Sequence, residues 1–161
     1  MSFVDRLRPE LIRVAPPWRT FADTIAGLAT ALGDAGLVPP AAHAAAVRAV
    51  AAREAEASTA LLDIGVGIPH ARLAELARPV VALAVSATGL YEAVPTVRIG
   101  IVALLLSPPD SGPQHLRILS GIATLVRSAE LRASLLAARD ADDALATLRR
   151  HDRLYPLPLR G

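Results

Sequence analysis

Gly65-Val66-Gly67-Ile68-Pro69-His70-Ala71-Arg72-Leu73 is the stretch from which the rest of the chain can be placed. Two glycines one residue apart permit close backbone approach or unusual dihedrals. Pro69 fixes its own φ and drives Ile68 towards an extended conformation. The imidazole of His70 therefore follows a stiff dipeptide, an arrangement that positions a side chain more than it fills a core. Read alone, His70 is a presented reactive group or a structural histidine after a turn proline.

Outward from this segment, two apolar runs read as buried strands, Val80 to Val85 and Ile99 to Leu106. Both are nearly continuous and bounded by turn residues, as strands covered on both faces require. Residues 86–98 would join them as a loop or hairpin. Leu11 to Ala15 reads as a short first strand. Thr20 can cap a helix running to about Leu32, ended by Gly33 and Gly36. Pro39-Pro40 opens a second helix, about Ala41 to Ala57, with an apolar stripe expected at Ala44, Val47, Val50 and Ala51. Glu54 falls on nearly the same azimuth, and a carboxylate there needs a partner; Arg53 is adjacent in sequence. Leu73 to Ala77 could add one helical turn.

Pro108 to Pro113 is a helix-start signal, with Ser111 or Gly112 as cap and Pro113 in the first turn. Apolar positions 118, 119, 122, 125 and 126 give that helix one face, and His115 extends the face backward. His115 thus points inward at a helix N-terminus, where unpaired N–H groups favour an anion and a neutral imidazole. A satisfied core histidine is the other reading. Two helices follow, about Ser128 to Ala138 and Asp140 to Arg149, the last with acids at 140, 142 and 143 and basic residues at its end, complementing the helix dipole. The final residues, 151–161, read as an extended tail. The expected architecture is one α/β domain over 1–161, core about 8–150, with a mixed β-sheet flanked by helices on both faces.

Composition narrows the chemistry. The chain has 161 residues, 53% of them apolar, and no cysteine. Disulfides, thiolate metal sites and cysteine nucleophiles are excluded. All 17 basic side chains are arginine, so lysine Schiff bases and a P-loop are excluded too. Net charge is +2 and the arginines are scattered, which argues against a nucleic-acid surface. No apolar run is long enough to span a bilayer, and the N-terminus lacks the apolar stretch of a signal peptide; a cytoplasmic protein is expected.

His43, in an Ala-rich helix, and His151, in the charged C-terminal segment, read as inert. His70, His115 and Arg53 form a coherent set: a nucleophilic imidazole, a second imidazole at a helix N-terminus, and a forked guanidinium. Phosphoryl transfer needs positioning and neutralised oxygens, which arginine supplies bidentately. A two-histidine metal site lacks a third ligand at useful spacing, and the G-x-S-x-G elbow of a serine hydrolase is missing.

With the flanks added, the segment resembles the enzyme IIA domains of the bacterial phosphotransferase system, of the fructose/mannitol type that includes nitrogen-regulatory IIA proteins. Arg53-Glu54, Ser58-Thr59 and Gly65 to His70 take the places of that family's active-site segment, and His115-Leu116 with Leu119 those of its second-histidine helix. The resemblance covers about residues 8–150. It implies a compact α/β fold, with His70 phosphorylated by the histidine-containing phosphocarrier protein and able to pass the group to an enzyme IIB domain. His115 and Arg53 would contact the phosphoryl group, with Glu54, Ser58, Thr59, Gly65 and Gly67 supporting the phosphate site. Neither ATP, another cofactor nor a metal is implied. The chain departs from the pattern at Ala60-Leu61-Leu62-Asp63, where the family has Gly-Ile-Gly, and at Gly67, where it has Ala. Asp63 is expected to add a negative charge beside the phosphate. A binding module on the same fold that is no longer phosphorylated is the alternative these departures motivate, and an unrelated histidine-dependent phosphatase a more distant one.

Overall fold

In the central strands every residue is apolar or buried, so a sheet built on them needs cover on both faces. A computed structural model, which describes residues 2–154, has that arrangement. The strands are β1 (Ile12–Val14), β2 (Ala60–Leu61), β3 (Val66–Gly67), β4 (His70–Arg72), β5 (Val80–Val85), β6 (Tyr91–Val94), β7 (Val97–Ile99) and β8 (Ile101–Ser107). The helices are α1 (Phe21–Asp34), α2 (His43–Glu56), α3 (Gly112–Leu125), α4 (Ala129–Leu136) and α5 (Ala141–Leu154). A six-stranded mixed sheet runs β1-β5-β8-β3-β2, with β4 also on β8. β5 pairs antiparallel with β8, and β1 lies parallel to β5. Every residue of β5 and β8 is buried. α1 packs on α2 and β5, α2 on β4, and α5 on α4 and β1. β6 and β7 form a separate hairpin.

β5 occupies the residues expected of it. The second central strand starts at Ile101, not Ile99, because Ile99 ends β7 and Gly100 makes the corner. A Cβ at Gly100 would sit 3.0 Å from the Ser86 carbonyl oxygen. α2 begins after a 3-10 turn at Pro40–Ala42, and its buried positions are Ala46 and Val50. The stripe is therefore Ala42, Ala46 and Val50 at i, i+4 spacing; the expected Ala44 and Ala51 are exposed. Alanine on every side of this helix leaves little azimuthal contrast to read. Residues 73–76 make a hydrogen-bonded turn, Leu76 N–H to Leu73 O at 3.2 Å, and no helix. α5 runs on to Leu154, so residues 151–154, expected in an extended tail, are helical, with His151 buried; residues 155–161 of that tail lie outside the described residues. α1 starts as expected: the Thr20 hydroxyl accepts from Asp23 N–H at 3.0 Å. Ser111 takes the cap position of α3 but makes no side-chain cap bond. Among the described residues no helix is long and apolar enough to cross a membrane.

Two features of the sheet position the site. β3 and β4 lie along the same edge of β8 in one continuous register: Val66, Gly67, His70 and Ala71 face Ile101, Val102, Leu105 and Leu106. Pro69 sits in the gap, where a proline costs no ladder donor, and its carbonyl still accepts from Leu105 N–H at 3.0 Å. Period-two alternation then puts His70 and Arg72 on one face of β4 and buries Ala71 on the other.

Candidate functional site

His70, Arg72, His115 and Arg53 line a cleft of about 310 Å³, with Ala49, Ala52 and Glu56 of α2 along one wall. Each arrives by a different route. The stiff Ile68-Pro69 step presents His70 at the start of β4. Arg72 follows two residues later on the same face. Arg53 comes from the last turn of α2, and His115 from the first turn of α3.

His70 is half-buried and its tautomer follows from one contact. Nδ1 lies 2.8 Å from the Ile68 carbonyl oxygen. A carbonyl only accepts, so Nδ1 carries the hydrogen and donates. Nε2 is left with its lone pair. His115 is 5% exposed, and its ring stands edge-on to that of His70, centroids 5.5 Å apart at 68°. Burial holds the His115 pKa down at about 4, since a charged ring there would be desolvated and would be repelled by the neighbouring Arg72 guanidinium. Its ring is therefore neutral near pH 7, as the field of a helix N-terminus also favours. His115 Nδ1 lies 2.6 Å from the Ser107 hydroxyl.

The guanidiniums are held by backbone carbonyls. Arg53 donates to Ala57 O at 3.1 Å and Arg72 to Pro108 O at 3.2 Å. Among the described residues neither is paired with a carboxylate, so both stay available to an anion in the cleft. Arg72 was not singled out from the sequence. The signal was present, since a strand that presents His70 must present residue 72 on the same face.

The remaining candidates stand elsewhere. Glu54 prolongs the buried stripe of α2, and its partner is not Arg53. Its carboxylate accepts from Thr59 N–H at 2.9 Å, the Thr59 hydroxyl at 2.6 Å and the Ser58 hydroxyl at 3.3 Å. These three residues clamp the chain as it leaves α2 and line no part of the cleft. Gly65 has φ +66°, and a Cβ there would sit 3.1 Å from Arg98 O. It makes the turn into β3. Gly67 has a specific reason to lack a side chain: a Cβ would stand 2.5 Å from the Tyr91 hydroxyl. None of the five expected supports is among the residues that line the cleft. Asp63, expected beside the phosphate, is instead ion-paired with Arg127 at 3.0 Å. His43 lies beside the Thr30 hydroxyl at 3.2 Å, outside the cleft. A larger cleft of about 690 Å³, between residues 16–21 and 88–98, holds no histidine.

The arrangement gives one imidazole with a free nitrogen lone pair, a neutral imidazole edge-on to it, and two guanidiniums. Among the described residues no three histidine or acidic side chains come together as a metal site would need. Nucleophilic attack on a phosphorus centre is the chemistry that uses every one of these groups.

Residues 6–151 match the family described as "Phosphoenolpyruvate-dependent sugar phosphotransferase system, EIIA 2". The chain is 35% identical over 130 residues to the fructose-specific EIIA component of the phosphotransferase system of Haloferax volcanii, covering 80% of this chain and 82% of that protein. Its fold is similar to that of nitrogen regulatory protein IIA-Ntr from Neisseria meningitidis, with a TM-score of 0.76 at 23% identity over 90% of this chain and 97% of the other. It is also similar to enzyme IIA in the Escherichia coli complex of mannitol enzyme IIA with phosphorylated enzyme IIB, at a TM-score of 0.72 and 16% identity, covering 89% and 97%. The chain therefore belongs to the EIIA 2 family of the phosphoenolpyruvate-dependent sugar phosphotransferase system.

Proposed function

We propose that the chain is a phosphocarrier that accepts a phosphoryl group on Nε2 of His70 from the phosphohistidine of the histidine-containing phosphocarrier protein. The observation that carries this reading is the 2.8 Å bond from His70 Nδ1 to Ile68 O. It gives the ring the one tautomer with a nucleophilic Nε2. The Nε2 lone pair attacks phosphorus while the donor's N–P bond breaks and its electron pair returns to the donor imidazole. The Nδ1 hydrogen stays in place on Ile68 O. One N–P bond replaces another, so the barrier is a matter of alignment and charge.

Arg53 and Arg72 neutralise the phosphoryl oxygens as they pass between the two rings. A neutral His115 adds an N–H without placing a further positive charge beside His70. Asp63, paired with Arg127, is not among the residues that line the cleft. The reading takes this chemistry to run in the cytoplasm, with residues 6–151, which match the family, acting as one EIIA unit.

The phosphoryl group then passes to an enzyme IIB domain, as the Escherichia coli complex suggests by analogy, or it regulates a partner. A phosphate on His70 adds nearly two negative charges to a half-buried surface, enough to switch a docking face. Incubation of the purified protein with phosphoenolpyruvate, enzyme I and the phosphocarrier tests this reading. Intact mass should show one added phosphate, absent in His70→Ala. No added phosphate, with a control IIA protein labelled in the same tube, would favour a binding module that does not turn over.

A further inference from the structure

We propose that Ser107 is a positioning residue, whose hydroxyl donates to His115 Nδ1 and so holds that ring as the Nε2–H tautomer, with the N–H directed at the cleft. The inference rests on the phosphoacceptor reading of His70 for its purpose, but not for its geometry.

Ser107 ends β8, after six aliphatic residues, and is 0% exposed. A buried hydroxyl in such a strand costs free energy unless it is bonded. Among the described residues its hydroxyl has one partner, His115 Nδ1, at 2.6 Å. The backbone register explains why it arrives there. Ser107 pairs with Arg72 in the parallel ladder between β4 and β8, so its side chain shares the face that carries His70 and Arg72 into the cleft.

Two hydrogen arrangements are conceivable across this contact. If Nδ1 carried the hydrogen, the serine would accept it, and its own hydroxyl hydrogen would be buried with nothing to receive it. Nε2 would then turn a lone pair towards the phosphoryl oxygens and repel them. If the serine donates, its hydroxyl is satisfied, Nδ1 is satisfied, and Nε2–H becomes a donor. Only the second arrangement leaves no unmet group. The low pKa of His115, held down first by burial, keeps the ring neutral, so one nitrogen carries the hydrogen and the other a lone pair. The two histidines of the cleft are thus set by opposite devices. A carbonyl takes the Nδ1 hydrogen of His70 and frees its Nε2 as a nucleophile; a hydroxyl donates to Nδ1 of His115 and arms its Nε2 as a donor.

The tautomers are read from ring ¹H–¹⁵N correlation spectra of the unphosphorylated protein near pH 7. Wild type should show His115 as Nε2–H. Ser107→Ala should show a mixture of tautomers, Ser107→Thr should restore the wild-type pattern, and transfer from the phosphocarrier should slow about tenfold in Ser107→Ala. In a His115→Ala background, Ser107→Ala should slow transfer no further, which a purely structural role would not produce. Should Ser107→Ala fail to fold, Ser107→Cys, similar in size and a weak donor, carries the comparison. A wild-type His115 in the Nδ1–H form, or tautomer and rate both unmoved by the substitutions, would overturn the proposal. A fixed Nε2–H tautomer in a protein that takes up no phosphate would keep the role of Ser107 and sink the phosphoacceptor reading instead.

Discussion

At the scale of single residues, the site is made of protons held in place. His70 was legible in the sequence because Pro69 restricts the backbone before it, and His115 because helical periodicity carried it inward. Arg72 becomes legible only once β4 is recognised as a strand, and three residues give too little alternation to recognise one. Its role leads to a prediction. Arg72→Ala and Arg53→Ala should each slow phosphoryl uptake at least about tenfold in rapid-quench measurements, with lysine restoring only part of the rate, because its point charge lacks the guanidinium fork. Uptake unchanged in both alanine variants would remove the arginines from the mechanism. His115 makes a second prediction. Its folded-state pKa of about 4 lies below the ordinary histidine value of 6.5. Between those values the unfolded chain binds a proton that the folded chain refuses. The stability due to a neutral His115 is therefore complete above pH 6.5 and is lost as the pH falls to about 4. His115→Gln should lose less Tm than wild type between pH 7 and pH 4.5. Parallel losses would assign the acid sensitivity to other groups.

At the scale of elements, the end of α2 and the start of β3 show how the approach to the cleft is built. The stripe through Ala42, Ala46 and Val50 continues to Glu54, and the carboxylate is satisfied by Ser58 and Thr59, four and five residues on. The sequence showed that Glu54 needed a partner. It did not show which, because the partner depends on the path the chain takes as it leaves α2 through the extended Ala57. Glu54→Ala leaves the Thr59 N–H and hydroxyl without their acceptor and should cost about 1–3 kcal/mol in urea unfolding. No change in midpoint would mean that water replaces the clamp without loss. The Gly67 departure has its cause in a different element, the β6–β7 hairpin, whose Tyr91 ring packs edge-on against Phe21 at 5.3 Å. The Tyr91 hydroxyl is buried without a hydrogen-bond partner among the described residues, and burial and the nearby Glu54 push its pKa upward. Gly67→Ala should therefore destabilise by about 1–3 kcal/mol through overpacking. Tyr91→Phe should cost little or stabilise, and should relieve part of the Gly67→Ala penalty when the two are combined. Strict additivity in the double-mutant cycle would show that the two positions do not meet.

At the scale of the whole molecule, the sequence revealed the layers better than the edges. β5 was readable to the residue because a strand buried on both faces is apolar throughout. β8 was displaced by two residues because Ile99 continues the same apolar run in a different hairpin. Ion pairs between distant surface segments were not legible. Asp63 read as a charge beside the site, and its pairing with Arg127, far along the chain, is a product of the fold. Yet the same fold gathers His70, Arg72, His115 and Arg53 from three elements into one cleft. The central claim is that this gathering leaves Nε2 of His70 as the phosphoacceptor nitrogen. The most direct test is to label the histidine rings with ¹⁵N, phosphorylate the protein with phosphoenolpyruvate, enzyme I and the phosphocarrier, and locate the phosphorus by its coupling to ring nitrogen. The account predicts one phosphorus coupled to Nε2 of His70, with Nδ1 still bearing its hydrogen. Phosphorus on Nδ1 of His70, on His115, or on no histidine would contradict it.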